Sequence, residues 1–486
     1  MLRAWDVDVI RAAEAPLLAT GVPLMDRAAF ALAVAVARSL RERRGHVAGA
    51  RVALLVGPGN NGGDALFAGA HLARRGVAVT ALLTSGRVHD EGMAALRSAG
   101  GAVTRVTSGT AGAEAAARSD VVVDGLLGIG ARGALRGVAA DLVAALAVDR
   151  PFVVAVDVPS GIGVDDGTLP GPVLPAHLVV TFGGAKPGLL LPPAALVAGR
   201  VVVVDVGLPL ADADATVARL GPSDIAAAWP VPRAAEHKYS RGVLGIVAGT
   251  RAYPGAAVLA AGAAVRAGVG MVRSAGDAGP AVVAAHPEVV TGEGQVQAWA
   301  LGPGVEPHDE AQAPRIAAAL ASGLPAVVDA GALPLLPPRV GPHVVLTPHA
   351  GELVRLLAAR GVDVDREAVV AEPLAWARRA HELTGATVLL KGSVSVVVGP
   401  GRMYTQAEAP AWLATAGAGD VLTGLLGALL AGRSSDVIAD PTLAGLLAAA
   451  AASVHGRAAH AANPGGPVSA SAVADALPAV IATLLR

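Results

Sequence analysis

Cysteine is absent from the 486 residues. Disulfides, thiolate metal sites and thiol nucleophiles are therefore excluded. Aromatic residues make up only 2% of the chain, and much of the 53% hydrophobic content is alanine. Long hydrophobic runs are also missing. The longest apolar stretches, 421–432 and 443–454, fall short of the ~20 residues that span a bilayer. Asp6, Asp8, Arg11 and Glu14 stand where a signal peptide needs an apolar stretch, so the expected location is cytoplasmic and no membrane partner is expected. Neither charge sign dominates: 38 Lys and Arg face 39 Asp and Glu, for a net charge of −1. With no long basic run, nucleic acid is not an expected partner.

What the chain does hold is alanine, glycine and repeated strand–turn–helix patterns. Its length suggests about three ordinary domains or two large ones. Residues 12–44 read as helical, with Leu24, Met25, Ala28, Ala29, Leu32 and Val36 at helical spacing. Residues 51–56 form a buried-strand pattern, followed by the loop Gly57-Pro-Gly-Asn-Asn-Gly-Gly-Asp64, a helix over 65–75 and a second strand over 77–83. Such a unit is expected of a parallel sheet covered by helices. The loop formally matches a dinucleotide fingerprint, but no carboxylate follows at the end of the second strand, which ends in Leu83-Thr84-Ser85-Gly86. An ordinary nicotinamide dehydrogenase is therefore disfavoured. The loop also reads as a tight turn with Asx bonding.

The pattern repeats at 120–124, where a strand runs into Gly125-Leu-Leu-Gly128-Ile-Gly130-Ala-Arg-Gly133, and at 152–157, where a strand ends in Asp157-Val-Pro-Ser160-Gly161. Asn61, Asp124, Asp157 and Ser160 thus fall at the carboxyl ends of three strands, the edge where open α/β sheets bind ligands. Their oxygens suit a hard cation. Lys186, after the next strand, reads as a solvated lysine rather than an anion ligand. A proline-dotted stretch over 211–232 marks the boundary between two α/β domains.

In the second half, strands end in Gly302-Pro-Gly304, Asp329-Ala-Gly331, Thr347-Pro-His349 and Lys391-Gly392-Ser393. The densest signal is Thr415-Ala-Gly417-Ala-Gly419-Asp420-Val421, a glycine-rich turn opening an apolar helix over 421–430. A helix start offers unpaired N–H groups and partial positive charge, hence an anion site. Asp420 there has two readings, an N-cap of the helix or a base for a substrate hydroxyl that is receiving phosphate.

These motifs carry a resemblance. The first half resembles NAD(P)H-hydrate epimerases, through Pro23-Leu-Met-Asp-Arg-Ala28, Gly57 to Asp64, Asp124 to Gly133 and Val156 to Gly161. The second resembles ADP-dependent NAD(P)H-hydrate dehydratases, through His237-Lys238, Pro254-Gly-Ala256, Gly302 to Gly304, Thr347 to Glu352, Lys391-Gly392 and Gly417 to Asp420. The resemblance implies two three-layer αβα domains, Rossmann-like over 1–215 and ribokinase-like over 216–486. It implies a homo-oligomer whose small-molecule substrates are hydrated NADH, hydrated NADPH and ADP. In the first domain, Asn60, Asn61, Gly62, Gly63 and Asp64 with Gly128, Ile129, Gly130, Ala131, Arg132, Gly133 and Ala134 would hold the dinucleotide. Asn61, Asp124 and Ser160 would bind a potassium ion, and Asp157 would contact the hydrated ring as a catalytic group. In the second, Ala256, Gly304, His349 and Asp420 would bind the hydrate. Lys391, Gly392, Ser393, Val394, Ser395 and Gly419 would bind the nucleotide, ADP with Mg2+, and Asp420 would be catalytic. The sequence departs from the family pattern at Ala65, Ile129, Ala350 and Val394. Two rival readings stand beside this one. The first is a ribokinase-like small-molecule kinase fused to a nucleotide-binding module, and the second is a non-enzymatic binding role for the first half.

Overall fold

The computed structural model describes residues 1–149, 151–306 and 308–486. The chain divides into two compact units, one of residues 3–216 and one of residues 1–2 with 217–486. Both are mixed α/β with largely parallel sheets, the expected fold class.

In the N-terminal unit, Val- and Leu-rich runs form seven strands: β1 (Arg51–Val56), β2 (Ala78–Leu83), β3 (Ala102–Arg105), β4 (Val121–Gly125), β5 (Val153–Val156), β6 (Leu178–Phe182) and β7 (Arg200–Val204). They pair in the order β3-β2-β1-β4-β5-β6-β7, parallel throughout. Continuous apolar strands are what a sheet buried on both faces requires. The chain order reverses between β1 and β4, and that switch point opens a crevice beyond the strands' carboxyl ends.

One expectation is refined here and another corrected. The helical stretch over 12–44 belongs to two helices, Val7–Ala19 and Leu24–Arg44, because Gly21 takes a left-handed φ of +76° and Pro23 cannot continue a helix. The segment from Asn60 to Asp64 is not a loop but the opening of the Asn60–Ala73 helix. Its glycines serve close packing rather than a turn. A Cβ on Gly62 would collide with the Gly57 carbonyl, so only glycine lets the helix sit this near the end of β1.

In the C-terminal unit the strands are β8 (Val217–Arg219), β9 (Val243–Val247), β10 (Met271–Ser274), β11 (Val290–Thr291), β12 (Ala298–Leu301), β13 (Ala326–Val328), β14 (Val344–Leu346), β15 (Thr387–Leu390), β16 (Ser395–Val398) and β17 (Met403–Gln406). Their order is β8-β17-β16-β15-β14-β13-β12-β9-β10-β11. The stretch from β11 to β15 is parallel, and β15, β16 and β17 form an antiparallel meander. The helices Ala418–Gly432 and Thr442–Ala462 contribute a long series of buried Ala and Leu to the core. Among the described residues no single helix is long and apolar enough to cross a membrane.

Candidate active sites

The crevice of the N-terminal unit is a cleft of about 480 Å³. Asn60, Asn61 and Asp64 reach it from the start of the Asn60–Ala73 helix, Gly128, Ile129, Gly130 and Ala131 from the loop after β4, and Asp157 from the end of β5. Arg132, Gly133 and Ala134 continue that loop but do not line the cleft, and neither do Gly62 and Gly63, which face their own packing partners.

Asp157 is held in a left-handed backbone conformation, φ +63°, a strain of the kind that concentrates at functional sites. Its Oδ1 accepts hydrogen bonds from Thr181 Oγ1 at 2.9 Å, Phe182 N at 3.2 Å and Lys186 Nζ at 2.5 Å. Lys186 is therefore not the solvated lysine its position suggested. Its side chain is 1% exposed, and its ammonium also donates to Thr181 Oγ1 and the Phe182 carbonyl, each at 3.0 Å. A lysine so buried persists only when paired and hydrogen-bonded. The Asp64 carboxylate, in the same cleft, has no hydrogen-bond partner among the described residues. Burial, with Asp157 and Glu14 adding repulsion, pushes its carboxyl well above the ordinary value. Burial also raises Glu14.

Asn61, Asp124 and Ser160 do come together. Ser160 Oγ donates to Asp124 Oδ1 at 2.6 Å, and its N–H donates to Oδ2 at 2.9 Å. Asn61 Nδ2 donates to the carbonyls of Leu127 and Val156 at 3.0 and 2.7 Å. Asp124 is fully buried and meets no cationic side chain among the described residues. Burial raises its carboxyl, partly offset by the Ser160 and Leu126 hydrogen bonds.

Sequence reading missed several groups here. Arg11 and Glu14 line the cleft from the Val7–Ala19 helix, and Arg11 Nη2 donates to the Ile129 carbonyl at 3.4 Å. Ile129 thus lacks a side-chain hydroxyl, yet its backbone is still engaged.

The C-terminal unit builds its site on neighbouring strand ends. Asp329 follows β13, His349 follows β14, and Lys391 follows β15. The Gly417 turn faces them, with Gly417 as N-cap at φ +85°, a conformation glycine adopts without penalty. The helix starts at Ala418, so Asp420 lies within its first turn. Of its two readings the N-cap is the one the structure overturns. Its carboxylate has no hydrogen-bond partner among the described residues. Burial first, then Asp329, pushes its carboxyl up to about 6, while Lys391 pulls the other way. A carboxyl of that kind is mostly ionised near neutrality and able to take up a proton.

Lys391 Nζ pairs with Asp329 Oδ1 at 2.8 Å and lies 3.6 Å from Glu352 Oε2. Burial lowers its affinity for a proton, but Asp329 and Glu352 more than offset that, so it stays charged. Thr423 Oγ1 fixes the other Asp329 oxygen at 2.9 Å. His349 does not sit in a free loop. It N-caps the Ala350–Ala358 helix in a capping box, accepting from Glu352 N at 3.2 Å while its own N–H donates to Glu352 Oε2 at 2.8 Å. Its ring remains about half exposed. Ala256 and Gly304 lie together, since a Cβ on Gly304 would stand 2.6 Å from the Ala256 Cβ. Gly392, Ser393 and buried Val394 turn the chain from β15 into Ser395 at the start of β16. Gly419 sits against Lys391, whose Nζ would be 3.4 Å from a Cβ placed there.

Residues 22–188 match the family described as YjeF-related protein N-terminus, and 244–478 match NAD(P)H-hydrate dehydratase. A bifunctional NAD(P)H-hydrate repair enzyme from Mycobacterium tuberculosis is 46% identical over 447 residues, covering 89% of either chain. The chain belongs to the bifunctional NAD(P)H-hydrate repair enzymes. The first half alone is 48% identical over 214 residues to an NAD(P)H-hydrate epimerase from Clavibacter michiganensis, spanning 42% of this chain and 90% of that one. A solved ADP/ATP-dependent NAD(P)H-hydrate dehydratase from Bacillus subtilis is 27% identical, with a TM-score of 0.48, over 55% of this chain and 98% of that one.

Within this repair enzyme, Asp329, Thr423 and Lys186 are further groups whose roles sequence reading missed. The signal for Asp329 was present, a carboxylate ending a buried strand, but its partner lies 62 residues away at Lys391.

Proposed function

We propose that residues 1–215 interconvert the R and S forms of hydrated NADH and NADPH, and that residues 216–486 dehydrate the S form using ADP. The hydrate carries a hydroxyl on a ring carbon next to the ring nitrogen. In the first unit, the Asp157 carboxylate, paired with Lys186, faces that ring and stabilises the positive charge left when the hydroxyl departs. Asp64, whose protonated form burial favours, supplies the proton that leaves with it. Water returning to the opposite face, with its released proton going back through solvent to Asp64, gives the other epimer. Asn61, Asp124 and Ser160 fit a potassium ion, because they gather oxygens around a fully buried carboxylate that meets no cationic side chain among the described residues. The ion would supply the missing charge where the loop after β4 meets the Asn60–Ala73 helix.

In the second unit ADP enters as its Mg2+ complex. Asp420 takes the ring hydroxyl's proton as that oxygen attacks the β-phosphorus and the bond to AMP breaks. The amides of Gly417 to Gly419 hold the transferring group at the helix start. Phosphate then leaves the ring carbon with its bonding electrons, the neighbouring carbon loses a proton to solvent, and NADH or NADPH is restored. Hydroxide is a poor leaving group and phosphate a good one, which is the reason for the detour. The observation that carries this reading is Asp420, a carboxylate without a hydrogen-bond partner among the described residues, its carboxyl raised to about 6 by burial, near the Lys391 ammonium and a left-handed glycine cap.

The test is recovery of reduced-nicotinamide absorbance from a mixture of R and S hydrates. Full recovery with ADP is expected. A stable phosphorylated product without recovery would sink the dehydratase reading in favour of the kinase. Recovery limited to the S fraction would remove the epimerase assignment.

A further inference from the structure

We propose that Asp329 is a positioning residue that aims the Lys391 ammonium at the transferring phosphoryl group, with Thr423 and Glu352 fixing the pair. This rests on the phosphoryl-transfer reading above and adds to it. Lys391 would otherwise be only one residue of a nucleotide-binding turn. Asp329 is 2% exposed, while Lys391 is 21% exposed, so the carboxylate is the buried anchor and the ammonium the presented end. Asp329 spends one oxygen on Lys391 Nζ and the other on Thr423 Oγ1. Thr423 lies on the same helix as Asp420, so this bond ties strand end to helix start. A Cβ on Gly419 would stand 3.4 Å from Lys391 Nζ and 3.5 Å from Asp329 Oδ2. The ammonium is therefore beside the helix-start amides that receive the phosphoryl group. The backbone next to the anchor is constrained as well, with Ala330 at φ +44°, a conformation a non-glycine residue keeps only when its surroundings enforce it. A lysine held this way meets the growing negative charge without reorganising.

The groups around Asp420 make the idea measurable. Asp329 and Lys391 reach it from the strand ends with opposite sign. Glu352 stands behind Lys391 at 3.6 Å. On the Thr442–Ala462 helix, His455 is buried, and burial first, then Lys391, pushes it down to about 4, so it is neutral here.

The experiment follows the pH dependence of dehydration kcat/KM for ADP in the full chain, comparing wild type with Asp329→Asn, Lys391→Met and Thr423→Val. Lys391→Met is expected to cut kcat by ~10²–10³ and to move the acid limb up, having removed a positive neighbour of Asp420. Asp329→Asn is expected to lower kcat and to move the limb down by about one unit, with AMP binding by calorimetry nearly unchanged. A merely structural role would lower activity without shifting the limb in opposite directions. If Asp329→Asn does not fold by circular dichroism, Thr423→Val carries the test, with a smaller loss of kcat at unchanged AMP affinity. Unchanged kcat in Lys391→Met, or limbs that stay in place in every folded variant, would overturn the proposal. Absent wild-type recovery with ADP would instead overturn the reading beneath it.

Discussion

Each half of the chain seats a lysine on an aspartate beyond the carboxyl end of a parallel sheet, yet the two pairs are turned opposite ways. In the N-terminal unit Lys186 is the more deeply buried partner, at 1% exposure against 7% for Asp157. In the C-terminal unit Asp329 is the anchor, at 2% against 21% for Lys391. One unit thus offers its ligand an anion and the other a cation. The first suits a ring that becomes positive as hydroxide leaves, the second a phosphoryl group rich in negative charge. On the proposed mechanisms the same pair of side chains would serve two chemistries, set by which partner lies beneath.

The comparison breaks most sharply at Asp420. Asp420→Asn is expected to reduce dehydration by ~10²–10⁴-fold while R and S hydrates still interconvert, as chromatography of the two epimers would show. Loss of both activities would argue that the units do not divide the work. The pairs themselves should differ in stability. Lys186→Met leaves Asp157 buried and unpaired, with an expected loss of ~3–5 kcal/mol in denaturant unfolding together with loss of epimerisation. Lys391→Met removes an ammonium that is 21% exposed, against 1% for Lys186, and leaves Asp329 bound to Thr423, so a clearly smaller loss is expected. Equal losses would erase the distinction.

A third expectation sharpens the contrast through pH. On the proposed mechanism Asp420 acts as a base and must be deprotonated, so dehydration is expected to be lost as pH falls through about 6, by about tenfold per unit below it. The epimerase step should not share that limb. The smallest effect expected is from exchanging potassium for a large organic cation. Epimerisation should fall a few-fold while dehydration is unchanged, and equal sensitivity of both would remove the cation from the Asp124 pocket.

Much of the sheet framework was legible, because valine runs ending in a carboxylate or a hydroxyl mark strand ends wherever the sheet is buried on both faces. Asp124, Asp157, Ser160 and Asp329 were visible for that reason. Lys186 was not. Its acceptors, Asp157 and Thr181, lie 29 and 5 residues away, and nothing local in Gly-Gly-Ala-Lys-Pro distinguishes a buried ammonium from a solvated one. Arg11 and Glu14 were read only as charges that disqualify a signal peptide, since the cleft they line is assembled from chain more than 100 residues away, as the Arg11 bond to Ile129 shows. The Asn60 to Asp64 segment was misread for a related reason. Asn, Gly and Asp favour turns locally, whereas here tertiary packing against Gly57 makes them a helix start.

The bridge between His349 and Lys391 has a thermodynamic consequence. The two residues pair across neighbouring strand ends, the Lys391 N–H donates to the Pro348 carbonyl at 2.8 Å, and Glu352 bonds to one while standing 3.6 Å from the other. Whatever occupies one end changes the environment of the other. With hydrate at His349 and nucleotide at Lys391, as proposed, the two occupancies are expected to be linked, and any such linkage is reciprocal. Whatever factor ADP contributes to hydrate affinity, the hydrate must return to ADP, and a single pair of binding isotherms measured both ways would reveal it.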